Sequence, residues 1–434
     1  MIFYKNNKNL SSNFLNKIFF FFKKKYFLVF QFIIYTIFLF YLGKSFSYDI
    51  KNSYSFSELF LNYEGGFVRR GFLGQLFLFL YEYFEISPLL FFSYLLFSFH
   101  ILNLFFFFEL IKNNALPFEI KIIIIFSPAL VFFPIYDFNM FFSKDLFIKF
   151  LILLHAFIII KINGDLNSYH KYLKFLIIPL IFFVNIFIHE YGIFFISIHL
   201  LLSLYVFKFK NNFLYFIYTT IFLLINLIIF LFIGNEQIYD QINLSVKVFD
   251  ISVHPQLSGG FKSLIGGFYK WHFFYFNYRD FAMLLFSFLL STWIFFLIFH
   301  NLIKKSIIKY NFNYSYLLFF IPCLGIFLNI DHGRNLSLLS FHLVIFYLIL
   351  KVDIYRLQKY TNKVRSNFII INFAYIFIFL YLFMWILPQD AGFGWQGKYN
   401  TIFKTSLFGE FVSFFKFLYN LISEHIITLP EIKL

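Results

Sequence analysis

Five groups of polar residues in this chain have the types and spacing to do chemistry. The first runs Asn62, Tyr63, Glu64, Gly65, Gly66, Phe67, Val68, Arg69, Arg70, Gly71, with Gly74 following. Two adjacent arginines offer planar forks of donors that match a phosphate or diphosphate. Glu64 beside them could take a proton, or simply pair with Arg69 in a turn. The second group, Asp137, Asn139, Lys144 and Asp145, follows Pro128 and Pro134 and reads most simply as a polar hairpin tip with a Lys–Asp pair. The third, His189 and Glu190 before Tyr191 and Gly192, could be a base with its orienter or a polar cap. It is not the zinc-protease HExxH, because position 193 is Ile. The fourth mixes His254, Pro255, paired glycines (259–260 and 266–267), Lys262, Lys270, Trp271, His272, Arg279 and Asp280. Aromatic faces stack on pyranose rings and cations meet phosphate, so it suits a sugar phosphate; it would equally anchor at a membrane interface. No GxxxxGK[ST] pattern accompanies it. The fifth, Asp331, His332, Gly333 and Arg334, sets an acid and an arginine three apart beside apolar runs, where they must pair or serve a site.

What holds these groups in place follows from the rest of the composition. Of 434 residues, 61% are apolar, 26% aromatic and only 13% charged. That is about half the charged share of an ordinary soluble domain. The charges cluster between long apolar runs, which excludes a soluble globular enzyme, a disordered chain and a disulfide-stapled domain. Cys323 is the sole cysteine, so no intrachain disulfide is possible. The 80 phenylalanines come with abundant Ile, Lys, Asn and Tyr, as very AT-rich coding would produce. Runs such as 19–22 and 105–108 then read as lipid-facing filler. His100, His155, His199 and His342 lie within apolar runs and read as helix–helix hydrogen-bond donors.

A bilayer core of about 30 Å needs roughly 20 apolar residues in helix. The candidate spans are 26–43, 88–111, 121–136, 146–162, 172–189, 193–207, 213–233, 281–301, 315–330, 335–350 and 367–388. The stretch 72–84 is too short, carries Glu82 and reads as interfacial or re-entrant. The fold expected is all-α, a polytopic bundle of about eleven transmembrane helices forming one domain over 26–388. A basic N-terminal segment, 1–25, precedes it, and an amphipathic tail, 389–434, lies on the membrane. With the N-terminus cytoplasmic, most of the 36 lysines and arginines fall on the inner side. All 21 acids except Glu109, Glu119, Asp165 and Asp353 fall on the outer side. The net charge of +15 is therefore a topology signal with lipid headgroups as partner, not a nucleic-acid signal. The long loop 234–280, the first loop 44–87 and all of the 18 glycines but Gly164 and Gly325 share the outer face, which reads as the working face of an inner-membrane protein.

This layout resembles the polytopic lipid-linked sugar enzymes of bacterial envelopes, the O-antigen polymerase and GT-C glycosyltransferase group. The resemblance is one of architecture along the whole chain. It implies an extracytoplasmic transferase or polymerase acting on polyprenyl-(di)phosphate sugars. The acid that the GT-C pattern places in the first outer loop would be Glu64, a Glu where many members have Asp. Arg69, Arg70, Arg279 and Arg334 would hold the diphosphate, and 234–280, with Trp271, would be the loop near the acceptor. His254 and Asp331 are the other candidate catalytic groups; no metal is assigned and the cofactor is unknown. The alternatives are a transporter or flippase for a lipid-linked or anionic solute, and a non-catalytic envelope assembly protein. Arg69, Arg70 and Arg334 are expected to converge with Glu64 and Asp331 on one outward-facing cavity.

Overall fold

The computed structural model describes residues 31, 33–40, 54–68, 70–112, 118–136, 138–162, 184, 187–189, 192–207, 221, 224–225, 228, 236–251, 285–293, 322–323, 332–349, 381 and 387. Helix dominates these residues and no strand occurs among them, as the all-α expectation requires. A short helical turn, Tyr54–Ser57, tightens into a 3-10 turn at Glu58–Phe60. Then come α1 (Phe72–Phe84), α2 (Pro88–Lys112), α3 (Phe118–Phe126), α4 (Phe133–Tyr136) and α5 (Asp145–Ile162). After these follow α6 (Gly192–Phe207), α7 (Glu236–Val246) and α8 (His332–Ile349).

Helices α2, α5, α6 and α8 correspond to the expected spans at 88–111, 146–162, 193–207 and 335–350. Of the described helices, α2 alone is long and apolar enough to cross a membrane. α5 reaches 18 residues but carries Asp145, Lys149 and Lys161. The stretch 121–136 is not one helix. Its chain stops at Phe126, turns through Ser127 and Pro128, and resumes as the four residues of α4, because proline cannot continue a hydrogen-bonded turn. The greater part of the expected spans at 172–189, 213–233, 281–301, 315–330 and 367–388, half of 26–43, and the tail 389–434 lie outside the described residues.

Packing centres on α5, which lies against α2 and α8, with α6 touching both α5 and α8. The first loop is held by interlocked rings. Phe60 meets Phe56, Phe77 and Phe92 edge to face, with centroids 5.2, 5.6 and 5.0 Å apart. Phenylalanine is thus core as well as filler: in the run 105–108, Phe105 is exposed while Phe107 and Phe108 are buried. α2 shows the same division along its length. Phe92, Leu96, His100, Asn103 and Phe107 face the bundle, whereas Leu90, Tyr94, Leu102 and Phe105 face outward. An apolar stripe also runs outward along α1 through Phe72, Leu76, Phe79 and Tyr83.

Close backbone contacts set the first loop. A Cβ on Gly74 would stand 2.2 Å from the Leu61 carbonyl oxygen, so only glycine lets the start of α1 cross the preceding chain there. A Cβ on Gly65 would stand 2.7 Å from the Ile238 carbonyl oxygen, which seats α7 on the loop. Asn62 Nδ2 ties the two together by donating to Ser245 Oγ at 2.9 Å. The Tyr63 backbone N–H donates to Gln75 Oε1 at 2.8 Å and closes the loop over α1.

Candidate functional site

Four segments far apart in sequence meet in one buried cluster of charge: Glu58, Arg70, Lys144, Asp145, His189 and Arg334. Apart from Glu58, which continues the turn Tyr54–Ser57, each member stands at or just before the start of a helix. Arg70 precedes α1, Asp145 opens α5, His189 precedes α6 and Arg334 lies in the first turn of α8. Helix N-termini carry partial positive charge and unpaired N–H groups. Asp145 suits such a position, and the Ser143 hydroxyl accepts its backbone N–H at 3.2 Å. Arg334 does not suit it, so its charge requires carboxylates close by.

Those carboxylates are Asp145 and Glu58. Arg334 Nε donates to Asp145 Oδ2 at 2.5 Å, and Nη2 stands 3.7 Å from Glu58 Oε2. Nη2 also donates to His189 Nε2 at 2.7 Å. A guanidinium can only donate, so in this geometry the His189 ring proton sits on Nδ1. The other Glu58 oxygen, Oε1, is paired with Arg70 Nη1 and stands 3.7 Å from His189 Nε2. Lys144, fully buried, donates from Nζ to the Arg70 carbonyl at 2.8 Å and fixes the backbone that carries that arginine.

Electrostatics follow directly. Burial alone would push the Glu58 carboxyl up, yet the surrounding cations, Arg70 first and Arg334 next, hold it at about 2. It is a permanent anion at any physiological pH. Among the described residues, three cations, Arg70, Lys144 and Arg334, stand around two anions, Glu58 and Asp145. Two carboxylate oxygens, Glu58 Oε2 and Asp145 Oδ1, are buried without a hydrogen-bond donor. Among the described residues, no group of three His, Cys, Asp or Glu is arranged to hold a metal ion.

Several residues singled out from the sequence come together here. Arg70 and Arg334 reach the same carboxylate, and Lys144, Asp145 and His189 join them. The carboxylate, however, is Glu58 and not Glu64. Glu64 sits exposed in the glycine turn, where its Oε1 accepts from Gln75 Nε2 at 3.2 Å. The expected hairpin-tip pairing of Lys144 with Asp145 gives way to longer-range partners, since Asp145 serves Arg334. Arg69, His254, Trp271, Arg279 and Asp331 lie outside the described residues.

A second polar group continues deeper along α5, α6 and α8. Lys149 Nζ donates to Ser337 Oγ at 2.9 Å and lies between the rings of Phe133 and Phe341. Below it His155 Nδ1 and His199 Nδ1 share a hydrogen bond of 2.8 Å between stacked rings. His342 bonds the Leu338 carbonyl of its own helix at 2.8 Å and stands edge-on to His199. Compared with family models, curated proteins and solved structures, the chain matches none of them.

Proposed function

We propose that this is a multi-pass membrane protein of about eleven spans that transfers or polymerises sugars carried on a polyprenyl (di)phosphate at the outer face. The observation that carries this reading is the cluster itself. Two arginines, a buried lysine and four helix N-termini face one place, and that combination favours a phosphate-bearing ligand. The outward apolar stripes of α1 and α2 support the membrane reading, because such surfaces require lipid or protein against them. Three of the helices whose N-termini meet at the cluster, α5, α6 and α8, are also ones that alternating topology sends from the outer side inward.

Roles follow from the environments. Arg70 and Arg334 bind the phosphates and stabilise the charge that departs with the carrier, the electrostatic contribution that usually dominates such transfers. Glu58, held far below neutral pH, is a poor general base and acts by positioning both arginines. The acceptor hydroxyl oxygen attacks the anomeric carbon, the bond to phosphate oxygen breaks, and the polyprenyl (di)phosphate leaves with the electron pair. Glu64, exposed beside the site, or His254 takes the hydroxyl proton. Asp331 is the remaining candidate from the same face.

Glycan chain length in a strain lacking the protein tests the reading. Single repeat units left outside the inner membrane support transfer or polymerisation. Repeat units trapped inside would instead favour the flippase alternative, which the polar column of Lys149 and the histidines recommends. Unchanged glycans would overturn both.

A further inference from the structure

The two carboxylate oxygens without donors carry the proposed site further. Glu58 Oε2 and Asp145 Oδ1 are buried without a hydrogen-bond donor, although each carboxylate has its other oxygen on a guanidinium and Arg334 Nη2 stands 3.7 Å from Glu58 Oε2. Both belong to the surroundings of Arg334, whose Nε serves Asp145 and whose Nη2 approaches Glu58. A buried carboxylate oxygen with no donor is costly, and a ligand that donates to it would relieve that cost. A cation would meet Arg70, Arg334 and Lys144 at close range, and three like charges repel it. A phosphate oxygen cannot donate when ionised. Neutral hydroxyl groups meet both conditions: they donate, and they bring no charge.

We infer that Glu58 Oε2 and Asp145 Oδ1 form a hydroxyl-recognition site for the sugar of the ligand, beside the arginines that meet its phosphate. This rests on the reading of the cluster as a site for phosphate-linked sugars and adds a division of labour within it. Arg70 is the entry side, since its side chain is 18% exposed while that of Glu58 is fully covered. The sugar ring passes Arg70 and directs hydroxyls to the two acceptors, and the phosphate stays with the guanidiniums. Carboxylate acceptors of this kind discriminate sharply, because a ligand lacking the hydroxyl leaves a buried acceptor without a donor.

The deciding measurement alters the ligand, so the protein stays intact. Full-length protein in lipid nanodiscs is titrated with farnesyl diphosphate and with its glucosyl, galactosyl and N-acetylglucosaminyl conjugates. Monodeoxy forms of the tightest conjugate follow. At least one conjugate should bind tenfold or more tighter than bare farnesyl diphosphate, and removing one or two particular hydroxyls should cost roughly 10- to 100-fold, as for a hydrogen bond to a charged group. If the diphosphate binds and no sugar improves it, hydroxyl recognition is wrong while the phosphate site stands. Should neither probe bind, the phosphate reading fails and this inference with it.

Discussion

Helices α5, α6 and α8 bury polar side chains at two levels, and the levels are built differently. At the N-terminal ends, ions from four segments neutralise one another across large sequence separations. Farther along the same helices, His155 and His199 stack and share a hydrogen bond, while His342 stands edge-on and bonds its own helix. The first arrangement fails if any one member goes, because a charge would remain buried without its counterpart. The second tolerates change, because neutral rings can be replaced by apolar ones of similar size. On the proposed reading the buried charge serves a ligand, whereas the histidine level needs only packing and one shared proton.

The largest effect should come from Glu58→Ala, which leaves Arg70 and Arg334 facing each other. A loss of about 3–5 kcal/mol is expected, read as a sharp drop in monodisperse protein and in the thermal midpoint. A stable Glu58→Ala protein would break the contrast between the levels. Next come Arg70→Lys and Arg334→Lys, which keep charge and lose the planar fork. Membrane insertion and yield should stay normal, while binding of prenyl diphosphate falls at least tenfold in a titration.

The histidine level should respond less, and in a telling order. His155→Leu leaves the His199 Nδ1 without its partner and should cost about 1–2 kcal/mol, whereas the double change with His199→Leu should recover most of it. Thermal unfolding of the three proteins measures this; a double variant worse than either single one would show that the rings do more than pack. The smallest effect concerns pH. The Glu58 carboxyl lies at about 2, below its ordinary value, so the stability it contributes is complete above the ordinary carboxylate range and is lost only as pH falls toward 2. The difference in midpoint between the natural protein and Glu58→Gln should therefore be flat from pH 5 to 8 and shrink only at more acid values.

How far the residues announced this arrangement depends on their neighbours. Arg70 and Arg334 stood out because they are arginines beside glycine at the ends of apolar runs. Lys144, Asp145 and His189 were visible as polar groups, but their partners were not, since a pairing 189 residues apart, as between Asp145 and Arg334, leaves no local period. Glu58 escaped notice altogether. It lies in the apolar stretch Ser55–Leu61, twelve residues before Arg70, while Glu64 sits among the glycines and draws the eye. The available signal was a lone acid with buried phenylalanines on both sides, which requires a cation wherever the chain folds. The helices were legible from apolar length, except where Ser127 and Pro128 divide one expected span into two short pieces.

The long separation between Asp145 and Arg334 has a consequence for how the protein is made. A ribosome adds about 5–20 residues per second, so these 189 residues take on the order of 10–40 seconds to appear. Through that interval α2 and α5 are already synthesised, and Asp145 has no guanidinium. Until then it must wait in water or be shielded by another factor. The arrival of α8 is therefore the locking step of this cluster, and a chain stopped before it would present an acid without its guanidinium partner.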